Sequence, residues 1–336
     1  MSTSDTRTAP APALPESRRR IHREAGLGVV LVVLVALFAT LTPRFATGDT
    51  FAQIGTDLSI VLIVAVGQAL VLFTRNIDVS VGSTVGLTAY LAASLTAAVP
   101  GLPLVLTVLV ACLLGAALGA VNGALVATLK VPSIMVTLGT LYIFRGINSA
   151  LAGSSQITAQ NLPDSYSAIA TGTVLGIPLM FLYALAVAGL AHLVIRHTFT
   201  GRAMLAVGSD PASAERTGIA SKRLVFGAYT VTGLLCGLAG VLWGARYGTV
   251  DSSVATGFEL VVLAAVVVGG VRITGGVGTV GGVVLGAAIL SVISTGLALA
   301  DVSPFWLQAI QGLVIILAIT FDLVLRRRLE SRGVST

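Results

Sequence analysis

Any chemistry in this chain has to come from a few polar side chains set among long apolar runs. The first group is Thr74-Arg75-Asn76-Ile77-Asp78-Val79-Ser80-Val81-Gly82-Ser83. Asn76, Asp78, Ser80 and Ser83 offer hydrogen-bonding groups there. Asp78 either pairs with Arg75 or caps a helix beginning near Val79. The second group is Asn122, flanked by Gly119 and Gly123. An amide in an apolar span needs a partner on another helix or faces a solute path. The third is Thr137 and Thr140, followed by Arg145 and Asn148. Polar groups at membrane depth are costly, so each is a functional candidate by default. Arg145 either snorkels toward an interface or faces a watery path or a carboxylate.

None of these sets supports bond-making. No Ser/His/Asp or Cys/His set converges by spacing, and His22, His192 and His197 have no metal-ligand spacing. Cys112 and Cys236 lie inside apolar runs and read as small packing residues. Gly276-Val-Gly278-Thr-Val-Gly281 matches a dinucleotide-binding pattern, with Asp301 twenty residues further on. That pattern works only in a soluble βαβ unit. Here it runs into an apolar span, so it reads as a tight turn. There is no GxxxxGK[ST] segment, so any ATPase must be another chain.

The elements that must position these groups are membrane helices. The 336 residues are 55% hydrophobic and only 10% charged, against about 25% charged in soluble domains. Strict alternation is missing, and Gly is plentiful at 38 residues, which points to close-packed helices rather than a barrel. The expectation is an all-α polytopic bundle of about ten spans. They fall near 26–42, 56–74, 81–99, 102–129, 132–152, 173–195, 223–246, 256–271, 278–299 and 304–325. The segment at 256–271 is short for a bilayer, so eight or nine spans remain open. The first span reads as an uncleaved helix behind a disordered basic tail at 1–25, and 326–336 reads as a second tail.

Seventeen of the 20 Lys and Arg fall on the side of both termini, which places the termini and the 196–223 loop in the cytoplasm. The net charge of +6 is therefore an orientation signal and not a nucleic-acid footprint. Glu259, Asp301 and the polar stretch 153–172 fall toward the opposite surface. Asp57 and Asp322 read as interfacial ion-pair members, Asp322 with Arg326. Glycines at four-residue intervals, as in Gly115, Gly119 and Gly123, make smooth helix faces.

Gly201 to Ile219 is a polar island within all this. Asp210 is a good N-cap, Pro211 fits the first helical position, and Gly218 suits the residue past a C-terminus. A two-turn helix from Pro211 to Thr217 follows. It is too short to be stable without something to pack against.

These blocks carry a family resemblance. NIDVSVGS at 76–83 is similar to the GIDLSVGS segment of bacterial ABC importer permeases for monosaccharides, the ribose, xylose, galactose and autoinducer-2 group. Asn122-Gly123, Lys130 and VPSIMVTLGTLYIFRG at 131–146 resemble a second block of that family. GRAMLAVGSDPASAERTGI resembles its cytoplasmic loop, and VVVGGVRITGGVGTVGGVVLGA at 266–287 resembles its late Gly-rich block. Asn76, Val79 and Ser209-Asp210 depart from the commonest residues. TRNIDVSVGS is most like the autoinducer-2 permeases, with rhamnose-type permeases as close competitors.

The resemblance implies two permease subunits forming a pathway in the lipid membrane, identical or closely related. It also implies two cytoplasmic ATPase subunits that bind ATP and Mg, and an extracytoplasmic sugar-binding protein. The helix at 211–217 would be the coupling helix. Asp210, Pro211, Ala214, Glu215, Arg216 and Gly218 would be its working residues. Asn76, Asp78, Ser80, Ser83, Asn122, Thr137, Thr140, Arg145 and Asn148 would line the substrate path. The rivals are an ion-coupled secondary transporter, which usually carries deep carboxylates, and a membrane-embedded enzyme, for which the catalytic set is missing.

Overall fold

Apolar runs with few charges form helices here, and the lengths of those runs set the architecture. The computed structural model describes residues 16–99, 101–129 and 131–303, with a few positions between 306 and 320. The far N-terminus, the C-terminal tail, the pairing expected of Asp322 with Arg326 and most of the tenth expected span lie outside the described residues.

The helices are α1 (Glu16–Leu41), α2 (Gly48–Phe73), α3 (Val81–Ala98), α4 (Leu104–Leu129), α5 (Ser133–Ala152), α6 (Asp164–Thr171), α7 (Leu179–His197), α8 (Phe199–Ser209), α9 (Pro211–Arg216), α10 (Ser221–Tyr247), α11 (Phe258–Val268) and α12 (Val280–Leu299). Two short antiparallel ribbons join them. β1 (Ile157–Thr158) pairs with β4 (Thr249–Val250), and β2 (Thr173–Val174) pairs with β3 (Ile177–Pro178).

The all-α polytopic bundle is as expected, with differences in detail. Among the described residues eight helices are long and apolar enough to cross a membrane, and the expected span at 304–325 lies mostly outside those residues. The run at 256–271 yields only the eleven-residue α11, about 16 Å long. Val254 and Ala255, which precede it, are buried without being helical. The run expected to start a span at 173 first makes a hairpin. Leu175 and Gly176 both adopt positive φ, the conformation that closes a two-residue turn. The helix α1 starts at Glu16, ahead of the span expected from 26.

α2 is the core helix, buried along most of its length and packed against α7, α10, α11 and α12. α10 lies against α2, α3 and α4. Its contact with α4 explains the glycine spacing. Gly115 and Gly119 face Gly233 and the Tyr229 carbonyl, while Gly237 faces the Ala111 carbonyl. A side chain at any of these would enter backbone. α1, α4, α5 and α7 stand outside with large apolar side chains exposed, such as Val105 and Tyr142. Asp57 on α2 meets Arg246 on α10 at 2.9 Å. The pair therefore ties two helices distant in sequence.

One end of the bundle carries Arg75, Arg196, Arg202, Arg216, Lys222, Arg223 and Arg272, and is called the basic end below.

Candidate functional site: a buried polar seam and the α8–α9 elbow

The connection between α2 and α3 is the first half of the site. α2 ends at Phe73, and Arg75 turns the chain with φ of 65°. Asn76 donates to the Thr74 carbonyl at 2.8 Å, so it holds this turn. Asp78 does not pair with Arg75. Its carboxylate accepts from the Ser80 amide at 2.9 Å and the Ser80 hydroxyl at 2.6 Å, an Asx-type cap just before α3. Arg75 instead lies exposed against Gly275.

The turn is held by three helices. Asn122 of α4 donates from Nδ2 to Ser80 Oγ at 2.8 Å. Thr137 of α5 and Tyr229 of α10 donate to the Ile77 carbonyl at 3.3 and 3.0 Å. The Ile77 amide donates to Ser133 at 3.1 Å. Asp78, Ser80 and Asn122 are buried. The Asn122 amide oxygen accepts no hydrogen bond in this arrangement, and a buried polar atom without a partner is uncommon. Ser83 and Thr140 are also buried, yet each hydroxyl donates to a carbonyl of its own helix.

Farther along α5 a second cluster forms. Arg145 donates to the Val254 and Ala255 carbonyls, and Asn148 donates to the Ser252 carbonyl at 3.2 Å. Glu259 joins them. It was expected near a surface, but it packs over Gly82 of α3 with Oε2 buried, close enough to Arg145 for electrostatic attraction. The reason is the shortness of α11, whose first turn starts inside the bundle. Arg145 lies twelve residues into α5 and seven from its end, which puts it about 10 Å from the end of the span opposite α9. The nine path candidates thus divide: Asp78, Ser80 and Asn122 meet directly, Thr137 reaches the same turn through the Ile77 carbonyl, and Arg145 and Asn148 form a separate clasp. Sequence reading passed over Tyr229, Ser133 and Gln68. Gln68 is a lone buried amide in α2, detectable by the reasoning that found Asn122.

The second half of the site is the elbow at the basic end. Asp210 caps α9, accepting from the Ala212 and Ser213 amides at 3.1 and 3.2 Å and from the Ser213 hydroxyl. Pro211 is the first helical residue. At the other end Ile219 N–H reaches the Ala214 carbonyl and Gly218 N–H the Glu215 carbonyl. With Gly218 at φ of 81°, that is a Schellman stop. Ala214 is buried, while Glu215 and Arg216 are exposed. The preceding stretch was read as loop but forms α8, started by Thr198 accepting from Gly201 N–H. The end of α8 is wedged tightly. Gly208 lies on the Phe73 carbonyl and on Gly276, and Gly276 lies on Ser209. Gly276 N–H also donates to the Phe73 carbonyl at 3.3 Å.

A helical bundle of this apolarity, with a polar seam inside and a capped surface elbow wedged against the same turn, defines a polytopic membrane permease. The chain belongs to the family described as branched-chain amino acid transport system / permease component, whose model matches residues 50–319. Its curated relatives include the autoinducer 2 import system permease protein LsrC of Enterobacter sp. (strain 638). That protein is 35% identical over 308 residues, covering 92% of this chain and 89% of the relative. The protein of the same name from Klebsiella pneumoniae subsp. pneumoniae is 35% identical, covering 92% and 88%. The one from Salmonella typhi is 33% identical over the same shares. No solved structure matches the chain. The protein is thus a multi-pass inner-membrane permease component of a transport system.

Proposed function

We propose that this chain is the membrane subunit of an ATP-driven, binding-protein-dependent importer of a sugar-like molecule, with autoinducer 2 as the first cargo to test. The elbow carries this reading: α9 presents Glu215 and Arg216 outward and is joined through α8 to the Phe73–Gly276 wedge. The basic end faces the cytoplasm in this reading, which the charge asymmetry supports. ATP and Mg bind two partner ATPase subunits, and a second permease chain completes the path. When the ATPases close, they push α9. α8 then carries the push to the turn at Phe73–Asp78, where Ser80 and Asn122 meet. The relatives' import of autoinducer 2 supports the choice of cargo, and a binding protein outside the membrane selects it.

In proteoliposomes that hold the chain with its ATPase partners, uptake of binding-protein-loaded cargo is expected to require ATP. Ala214→Pro, which breaks α9, is expected to abolish uptake while insertion and expression stay normal. Normal uptake by that variant overturns the coupling role. The buried carboxylates Asp78 and Glu259 favour a second reading, an ion-coupled carrier. Uptake that needs no ATP and collapses with a protonophore would select it.

A further inference from the structure

A cavity of about 360 Å³ lies between α2, α10, α11 and α12. It is apart from the Asp78–Asn122 seam, and it opens at the end opposite α9. From Leu299 at the mouth to Leu290 at the floor it follows nine residues of α12, about 13 Å of depth. We propose that it binds one small, neutral, polyhydroxylated molecule within a single permease chain.

Its walls differ in kind. One is aromatic: the rings of Trp243 and Tyr247 are 4.9 Å apart, and Phe258 meets Trp243 edge-on at 5.2 Å. The electron-rich face of such rings suits the weakly positive C–H groups on one side of a sugar ring. The facing wall is hydroxylic. Ser291, Ser294 and Thr295 project from one side of α12 at the three- and four-residue spacing that shares a helix face. Gln53 and Asp57, four residues apart on α2, complete the rim. Hydroxyls and amides both donate and accept, which matches a ligand made of hydroxyls. The volume falls in the range of pockets for small molecules.

Charge narrows the ligand. Asp57, which lines the cavity, is held by Arg246 at 2.9 Å, so its charge is neutralised. A zwitterionic amino acid would need a free charge of each sign, whereas a neutral polyol does not. A lipid tail is equally ill-matched. The chain has a groove suited to one between α2, α7 and α10, about 420 Å³, where Thr200 and Arg223 are the only polar lining side chains.

The choice of sugars as probes rests on the import reading, but the site itself does not require it. In the full chain reconstituted in lipid nanodiscs, Trp306→Phe leaves Trp243 as the single tryptophan of the two in the sequence. Titration with D-ribose and L-rhamnose is expected to change Trp243 emission saturably, and L-leucine is expected to leave it unchanged. Thr295→Leu fills the cavity and is expected to weaken the response at least tenfold. Ser291→Ala with Thr295→Val removes hydroxyls at little cost in shape and is expected to weaken it in the same direction. No saturable change with either sugar, an undiminished response in both variants, or a response to leucine alone overturns the proposal. Uptake by the ATPase-bearing complex, measured in parallel, separates the two readings. Intact ATP-driven uptake with a silent Trp243 overturns the cavity site alone, and a saturable Trp243 response without ATP-driven uptake overturns the import reading alone.

Discussion

Ser80 joins two buried groups that otherwise have little to bind, because its hydroxyl donates to Asp78 and accepts from Asn122. Removing it takes one partner from each, although Asp78 keeps the Ser80 amide. Ser80→Ala is therefore expected to cost about 1–3 kcal/mol of stability, read as thermal unfolding in detergent, and to lower uptake. Ser83→Ala removes a hydroxyl bonded only to its own helix and is expected to be near neutral. Equal effects of the two would show that the seam contributes nothing beyond local helix bonding. Asp210 acts at the exposed surface. The Ser213 hydroxyl, then the Ser213 amide, hold its carboxyl below the ordinary 3.8. A depressed carboxyl stabilises above its unfolded value and loses that contribution as pH falls through the native value. Coupling should thus show no titration from Asp210 between pH 8 and 5. Asp210→Ala should reduce ATP-dependent uptake across that whole range, and Asp210→Asn, which keeps an acceptor, should restore much of it. A variant pair with equal uptake would remove the cap from the mechanism.

At the scale of elements, the turn chemistry around α9 was legible in the sequence because it is local. Asp210, Pro211 and Gly218 each act within one turn of where they stand, and the observed helix ends one residue before the expected Thr217. α8 was not legible. Its stability comes from Gly201, Ala203, Met204, Val207 and Gly208 being buried against other elements, and a polar, Gly-containing stretch gives no local sign of that. The short α11 shows the same limit. A sixteen-residue apolar run fits a tilted span, a re-entrant piece or a broken helix equally well. Packing over α3 decides the matter, because Glu259 needs the room at Gly82.

For the whole molecule, the α4–α10 seam is packed backbone against backbone. Gly115→Val would drive a side chain into the Gly233 carbonyl. Overpacking of this kind costs about 1–3 kcal/mol, so lower thermal stability and lower yield are expected. Gly139→Ala and Gly146→Ala, which meet open space on α5, serve as controls and should leave both unchanged. The outward faces of α4 and α5 are apolar, as lipid or a second permease chain requires.

The sequence alone determined the class: too few charges for water, runs long enough for spans, a one-sided distribution of Arg, and a capped surface helix. These are properties of composition and near neighbours, which do not depend on how the chain closes on itself. It also supplied the polar residues of the interior, since a lone Asn or Asp in an apolar run is conspicuous wherever it folds. Only the tertiary structure decided their partners. Asp78 could have met Arg75, three residues away, yet it turned to Ser80 and thence to Asn122, because three helices converge on that turn. Arg145 and Glu259, 114 positions apart, became neighbours for the same reason: burial forces distant polar groups to find one another, and which ones meet is set by the packing of the helices.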